Sequence, residues 1–344
     1  MIEQSVYFEF SMTLLSKQFV YLIIPALFLR NLDDWLFAAK LLIVVAVIGI
    51  FSTLFASMGI VEFNTQRFAL SRFGIDGLPK SIGLLSNYGD MAVLGSFAFL
   101  MMFVVIRTRV LSVTNVTRWV AVILMLSGYF AAQSRNMYLT LLVGGISVVY
   151  FNLVINRGIG SKSIAMLLLL ISLTIGTIIL AILEVNPLES AKTIGGTTEA
   201  EATVNARLRQ YEFALDIILN NPILGNGVAI LKPAIEIHNI WLAQLALGGV
   251  VGTLAILGFF IIPIYALSRV HALDVLQRRI KITGLTQITC MFVAAEFYGA
   301  MTYIFMVMLG MMYMLPFLIK DTICKYASVT RHVSRSMAMK NVSV

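Results

Sequence analysis

The sequence predicts an all-α protein: a polytopic transmembrane helical bundle of about nine spans, with one large outward loop that contains an amphipathic helix. Three observations predict it. Only 12% of the 344 residues are charged, where a soluble domain carries roughly 25%. Apolar runs of about 20 residues recur along the chain, the length that crosses a hydrocarbon core. Those runs are continuous and do not alternate every second residue, which excludes a membrane β-barrel. Helices satisfy their own backbone groups in lipid, so a helical bundle remains.

The spans are expected at 10–29, 38–60, 89–106, 119–134, 137–155, 164–183, 238–267, 284–300 and 302–319. The first contains Lys17. The seventh runs for about 30 residues and is expected to tilt or protrude. Within it, Gly248 and Gly252 form a GxxxG, a spacing that lets helices approach closely. The chain thus divides into six spans over 1–183, an outward loop over 184–237, and three spans with a basic tail over 238–344.

The charges orient these spans. One set of loops carries sixteen cations, including Arg30, Arg107, Arg157, Arg269, Arg278, Arg279 and Lys281, against four acids; the other carries eight cations and thirteen acids. The basic set belongs in the cytoplasm. Loop 184–237 and the polar stretch 62–88 then face outward, as does Met1. An outward start without a basic, cleavable leader fits a short outward tail, and equally a chain lacking upstream spans. Much of the net charge of +8 is therefore a topology signal, which argues against nucleic acid as a partner. Cys290 falls in a span and Cys324 in the cytoplasmic tail, so no disulfide or metal site is expected. The three histidines lie on two sides of the membrane and make no metal site either.

Ionisable residues are scarce inside the spans: Lys17, Asp90, Arg135 and Glu296. The last three fall at outer ends. Transporters keep such groups near the midplane, so this distribution points to chemistry at the outer surface. Arg135 sits in a very short hairpin between two spans, where an arginine runs against the inside bias of positive charge. It either snorkels to the interface or holds an anion.

The outward loop carries a helix expected over Thr203–Asn220. At 100° per residue from Arg207, the residues Ile218, Tyr211, Leu215, Leu208 and Leu219 fall between about 20° and 120°. That apolar stripe is expected to face the bundle, with Arg207 on its edge; Phe213 and Ile217 form a second, smaller patch. Arg209 falls among Glu212, Asp216 and Asn220 on a solvated face. Arg207 lies close to the expected helix start, where the helix dipole reinforces its attraction for phosphate; its structural alternative is a rest on lipid head groups. Pro222 ends the helix, and Gly225 and Gly227 permit a sharp turn. His238 follows at the start of the seventh span, and it titrates near neutral pH.

Four stretches now fit a known pattern. They are Asn205-Ala206-Arg207-Leu208-Arg209-Gln210-Tyr211, Asn221-Pro222-Ile223-Leu224-Gly225-Asn226-Gly227, His238-Asn239-Ile240-Trp241, and Gly248-Gly249-Val250-Val251-Gly252. Their order and spacing resemble the O-antigen ligase and polymerase superfamily. Ser134-Arg135-Asn136 is similar to that family's Ser-Arg-Gly hairpin, with Asn136 in place of the glycine. The resemblance covers residues 130–255 well and 62–100 loosely.

It implies a GT-C-type glycosyltransferase of the bacterial inner membrane, working at its periplasmic face without metal, nucleotide or other cofactor. The implied donor is a glycan on a polyprenyl (undecaprenyl) diphosphate carrier. The implied acceptor is a hydroxyl of a glycan or of a lipid A-core, in lipopolysaccharide or surface polysaccharide biosynthesis. Arg135 and Arg207 would hold the diphosphate and His238 would take the acceptor proton. Arg72, Tyr211 and Asn239 are assigned to substrate binding, and Lys80 is a further cation of the same outward stretch as Arg72. Ligase and polymerase share these motifs and both stay open, with the ligase preferred. A transporter or flippase for a lipid-linked sugar is a third reading; it predicts midplane charges and broken helices.

Overall fold

The computed structural model describes residues 19–61, 83–85, 88–105, 115–132, 135–157, 198–227, 239–295 and 302–342. Among the described residues there are helices and turns and no strand. The helices are α1 (Phe19–Phe28), α2 (Leu32–Ser57), α3 (Tyr88–Leu100, continued by a π-turn over Met101–Val105), α4 (Asn115–Ala132), α5 (Arg135–Arg157), α6 (Thr198–Asn220), α7 (Ile240–Arg269), α8 (Val275–Ala294) and α9 (Tyr303–Val342). Five are long and apolar enough to cross a membrane: α2, α4, most of α5, α7, and α9 as far as Cys324. The expected span 164–183, the stretch with Arg72 and Lys80, and His238 lie outside the described residues.

The bundle is built with its polar helix inside. α8 carries Gln277, Lys281, Thr283, Thr286, Gln287 and Thr289, yet all of these are buried. Of the helices packed around it, α5, α7 and α9 bring apolar residues to their outer faces, while α3 is itself nearly all buried. In lipid, apolar surface is already in an apolar solvent, so hydropathy no longer decides which face packs inward. Thr289 Oγ1 bonds back to Leu285 O, and the hydroxyls of Thr283 and Thr286 have no partner among the described residues, but Gln287 finds its partners across a helix interface. Gln287 donates to Val93 O at 3.0 Å and accepts from Ser96 Oγ at 3.4 Å. Trp35, fully buried on α2, likewise donates its indole N–H to Met311 O at 3.2 Å.

Two helix boundaries differ from the sequence expectation. α8 begins at Val275 and not near residue 284, because Asp274 caps it by accepting from Gln277 N at 2.6 Å. Its first turns therefore contain Arg278, Arg279 and Lys281, which the sequence places in a loop. Lys281 is 8% exposed. Its ammonium donates to Ser268 O at 3.0 Å and Val270 O at 2.7 Å, satisfying carbonyls left open at the end of α7. α9 also continues well past the expected end of its span, to Val342. The basic tail holds no proline or glycine to stop it.

The two ends of the bundle carry different residues. At one, Arg279 Nη1 donates to Val104 O at 3.4 Å, beside Lys281 and the end of α7. At the other, α3, α5 and α9 begin. There Tyr129 Oη donates to Met91 O at 3.3 Å, Cys290 Sγ lies 3.5 Å from Thr140 O, and the Thr302 hydroxyl donates to the buried carboxylate of Asp90. The sequence assigns this second end to the outer side.

Candidate functional site

The site begins with the turn that ends α6. Asn221 O accepts from Gly225 N at 2.9 Å, and Gly225 and Gly227 have φ of 68° and 72°. Glycine adopts such angles freely and other residues do not. Asn226 Nδ2 donates to Ile217 O at 2.6 Å, closing the last turn of α6. The turn's backbone then meets α7. Asn226 N donates to Ala246 O at 3.1 Å and Gly227 N to Leu247 O at 2.9 Å. In return Val250 N donates to Pro222 O at 2.9 Å and Val251 N to Ile223 O at 3.2 Å.

Those four bonds exist because α7 is broken. Gly249 has φ 58° and ψ −159°, far from helical. A side chain there would run into the Ile223 carbonyl, and one at Gly225 would run into Leu247 O and Gly249 N. The expected seventh span, read as one tilted helix, is in fact two helical pieces, 240–248 and 250–269. A break at membrane depth must have its freed backbone groups satisfied again, and the α6 turn does this. The close approach thus belongs to Gly249. Gly248 faces open space and Gly252 makes only ordinary contact, so the GxxxG packing expected of that pair is not formed among the described residues.

The first piece folds back along the second. The Trp241 ring lies 5.6 Å from Phe260, although these residues would stand about 28 Å apart on one straight helix. Trp241 also lies 4.6 Å from Phe292, near the end of α8. The start of α7 is thereby returned to the bundle end where α5 begins, since α8 touches α5 through Cys290 and Thr140. Asn239 caps this start, its Oδ1 accepting from Leu242 N at 3.0 Å. His238 precedes Asn239 directly. Arg135 is the first residue of α5; its side chain lies outside the described residues, while its neighbour Asn136 is buried.

α6 packs on the first piece of α7 through Ala214 and Ile217 against Ala243 and Ala246, flanked by Phe213 and Ile218. The expected packing stripe is therefore corrected. Leu215 and Leu219 are exposed, and the smaller patch of Phe213 and Ile217 faces the protein. Arg209 is exposed. Arg207 is seven residues before Ala214, two turns along nearly the same line of the helix; its side chain is outside the described residues. The helix-dipole part of the expectation fails for Arg207. α6 starts at Thr198, so Arg207 stands more than two turns in, and the dipole's influence fades within the first turn. It applies instead to Arg135 at the start of α5.

Tyr211 is half-buried on α6. One further group was not singled out by sequence: Trp241 Nε1 is buried and has no hydrogen-bond partner. A tryptophan at the mouth of a span reads as an interface anchor, and only the fold-back shows its donor turned inward. No cluster of three metal-binding side chains occurs among the described residues. Residues 120–257, from α4 to the second piece of α7, match the family model described as O-antigen ligase. No curated protein matches the chain.

Proposed function

From the match of residues 120–257 to the O-antigen ligase family model, we propose that the chain is a member of the O-antigen ligase and polymerase superfamily and transfers a glycan from a polyprenyl diphosphate carrier to an acceptor hydroxyl, as a ligase. The single observation that carries this reading is the break at Gly249. It folds the start of α7, with His238 just ahead of it, back toward the bundle end where Arg135 opens α5. It also sets α6, the helix whose sequence carries Arg207 seven residues before Ala214, against the same piece of α7.

In this proposal the diphosphate sits between Arg135 and Arg207. Arginine's planar fork matches phosphate oxygens, and the start of α5 adds its own positive potential at Arg135. His238 takes the proton from the acceptor hydroxyl as its oxygen attacks the sugar carbon. The bond from that carbon to the diphosphate oxygen breaks, and the two arginines balance the charge that leaves. Tyr211, Asn239 and Arg72 contact the glycan, Asn239 also fixing the direction of His238 by capping α7. Trp241 Nε1 offers one more donor to a substrate oxygen. The reaction takes place at the periplasmic face of the inner membrane, without metal or nucleotide.

The transporter reading predicts broken helices, and α7 is broken. The freed backbone groups of a transporter helix bind substrate or ions. Here Ala246 O, Leu247 O, Val250 N and Val251 N are taken up by the protein's own turn, which does not favour transport. The test is the length of glycan on the carrier in cells lacking this protein, rescued by wild type or by His238→Ala. Long polymer trapped on the carrier is expected and means a ligase. Accumulated single repeats would mean a polymerase. Full rescue by His238→Ala would remove the catalytic assignment, and glycan held on the cytoplasmic leaflet would replace the enzyme with a transporter.

A further inference from the structure

α6 has three faces. One packs on α7 through Ala214 and Ile217. A second, with Arg209, Glu212, Asp216 and Asn220, is polar and exposed. The third is apolar and also exposed: Leu215 at 53% and Leu219 at 77%, continued by Ile223 at 65% and Leu224 at 68% in the turn. Four large apolar side chains bare to water on one short element would be a costly surface.

The patch does not end at the turn. Pro222 and Ile223 are bonded to Val250 and Val251, and Val250, Val251 and Leu254 are exposed in their turn. From there the apolar surface runs down α7 through Ile261, Ile262 and Tyr265. That surface belongs to a helix apolar enough to span a membrane and little covered by the rest of the bundle, so acyl chains cover it. The turn bonded to Val250 and Val251 is thereby continuous with that apolar surface.

We propose that the second half of α6 and the turn after it are seated in the membrane, with Leu215, Leu219, Ile223 and Leu224 against lipid acyl chains and Arg209, Glu212 and Asp216 toward water. Apolar, polar and protein-packed faces on one helix are what an interfacial helix held to a bundle requires. The element read from sequence as part of an aqueous loop is thus a membrane element. This holds whatever the protein transfers.

The experiment uses the full chain carrying Cys324→Ser, with Cys290 left in place because it is buried. Single cysteines at Leu219, Leu224, Arg209 or Asp216 are labelled with a fluorophore, in vesicles of phosphatidylcholine and phosphatidylglycerol. Labels at 219 and 224 should be quenched several-fold more by nitroxides on the acyl chains than labels at 209 and 216, and several-fold less by aqueous iodide. Equal iodide quenching at all four positions would overturn the proposal in favour of an aqueous loop. Protection of 219 and 224 from both quenchers would overturn it in favour of a protein partner or a second copy of the chain.

Discussion

α7 and α8 run side by side and invert each other. α7 is apolar almost throughout, yet it is broken in the middle and largely bare of protein. α8 carries three cations and a row of threonines and glutamines, yet it is unbroken and, from Ile280 on, nearly all buried, Lys281 included. In water the apolar helix would be the core. In lipid the solvent covers apolar surface at no cost, so polar side chains are what drive a helix inward, where they find partners. The same rule governs the backbone: the break in α7 is tolerated because the α6 turn completes its hydrogen bonds. Polar groups organise this bundle, and its apolar residues face either one another or the membrane.

The strongest way to break the comparison is to mend α7. Gly249→Ala forces a side chain into the left-handed region, about 1–3 kcal/mol, and against the Ile223 carbonyl. Transfer activity should fall as far as it does in His238→Ala, roughly 10²–10⁴-fold. Gly248→Ala and Gly252→Ala should stay within about twofold, since helix-compatible positions with room tolerate alanine. Activity retained in Gly249→Ala, measured in membranes with lipid-linked donor, would mean the fold-back does not position the base. With His238 as that base, the wild-type rate should also fall as pH drops below about 6.5, where imidazole gains its proton; a flat profile down to pH 5 would argue for another base.

The arginines of α6 sharpen the comparison next. Arg207→Ala should cost about 10²–10³ in rate, the value of one oriented charge-stabilising donor. Arg209→Ala should be near wild type, because its side chain is exposed. Equal losses would count against an α6 that turns Arg207 and Arg209 to different sides.

On α8 the effects should appear in stability and not in rate. Lys281→Met leaves Ser268 O and Val270 O without their donor. It should lower thermal stability in detergent by about 1–3 kcal/mol, with the rate of the surviving folded protein unchanged. Gln287→Leu should cost less, about 0.6 kcal/mol, the typical worth of a hydrogen bond between membrane helices. A neutral Lys281→Met would mean the lysine is not holding the end of α7.

The helical character and the positions of five of the nine expected spans were legible because composition and run length decide them. The break was not. Residues 240–269 form one apolar run, and Gly248-Gly249-Val250-Val251-Gly252 offers a GxxxG that draws attention from Gly249. What defines Gly249 is a carbonyl at Ile223, more than twenty residues upstream, which periodicity cannot reveal. The face of α6 was misread for a related reason: the wheel finds the more apolar stripe, Leu215 and Leu219, while the packed side is the one with small Ala214 opposite Ala243 and Ala246. The start of α8 was hidden by Arg278, Arg279 and Lys281, which look like loop charges until Asp274 is recognised as a cap. Arg135, Arg207 and His238 are proposed from residue type and order alone, since their side chains lie outside the described residues.

The contact between the α6 turn and the break in α7 also fixes two points of the chain. Gly227 is tied to Leu247, and Asn239 is anchored as the first cap of α7. The ten residues 228–237 run from one anchor toward the other. Doubling such a connection costs only about 0.6 kcal/mol of closure entropy, and both anchors are made by residues outside it. A change in the length of that connection therefore leaves both anchors in place at small entropic cost.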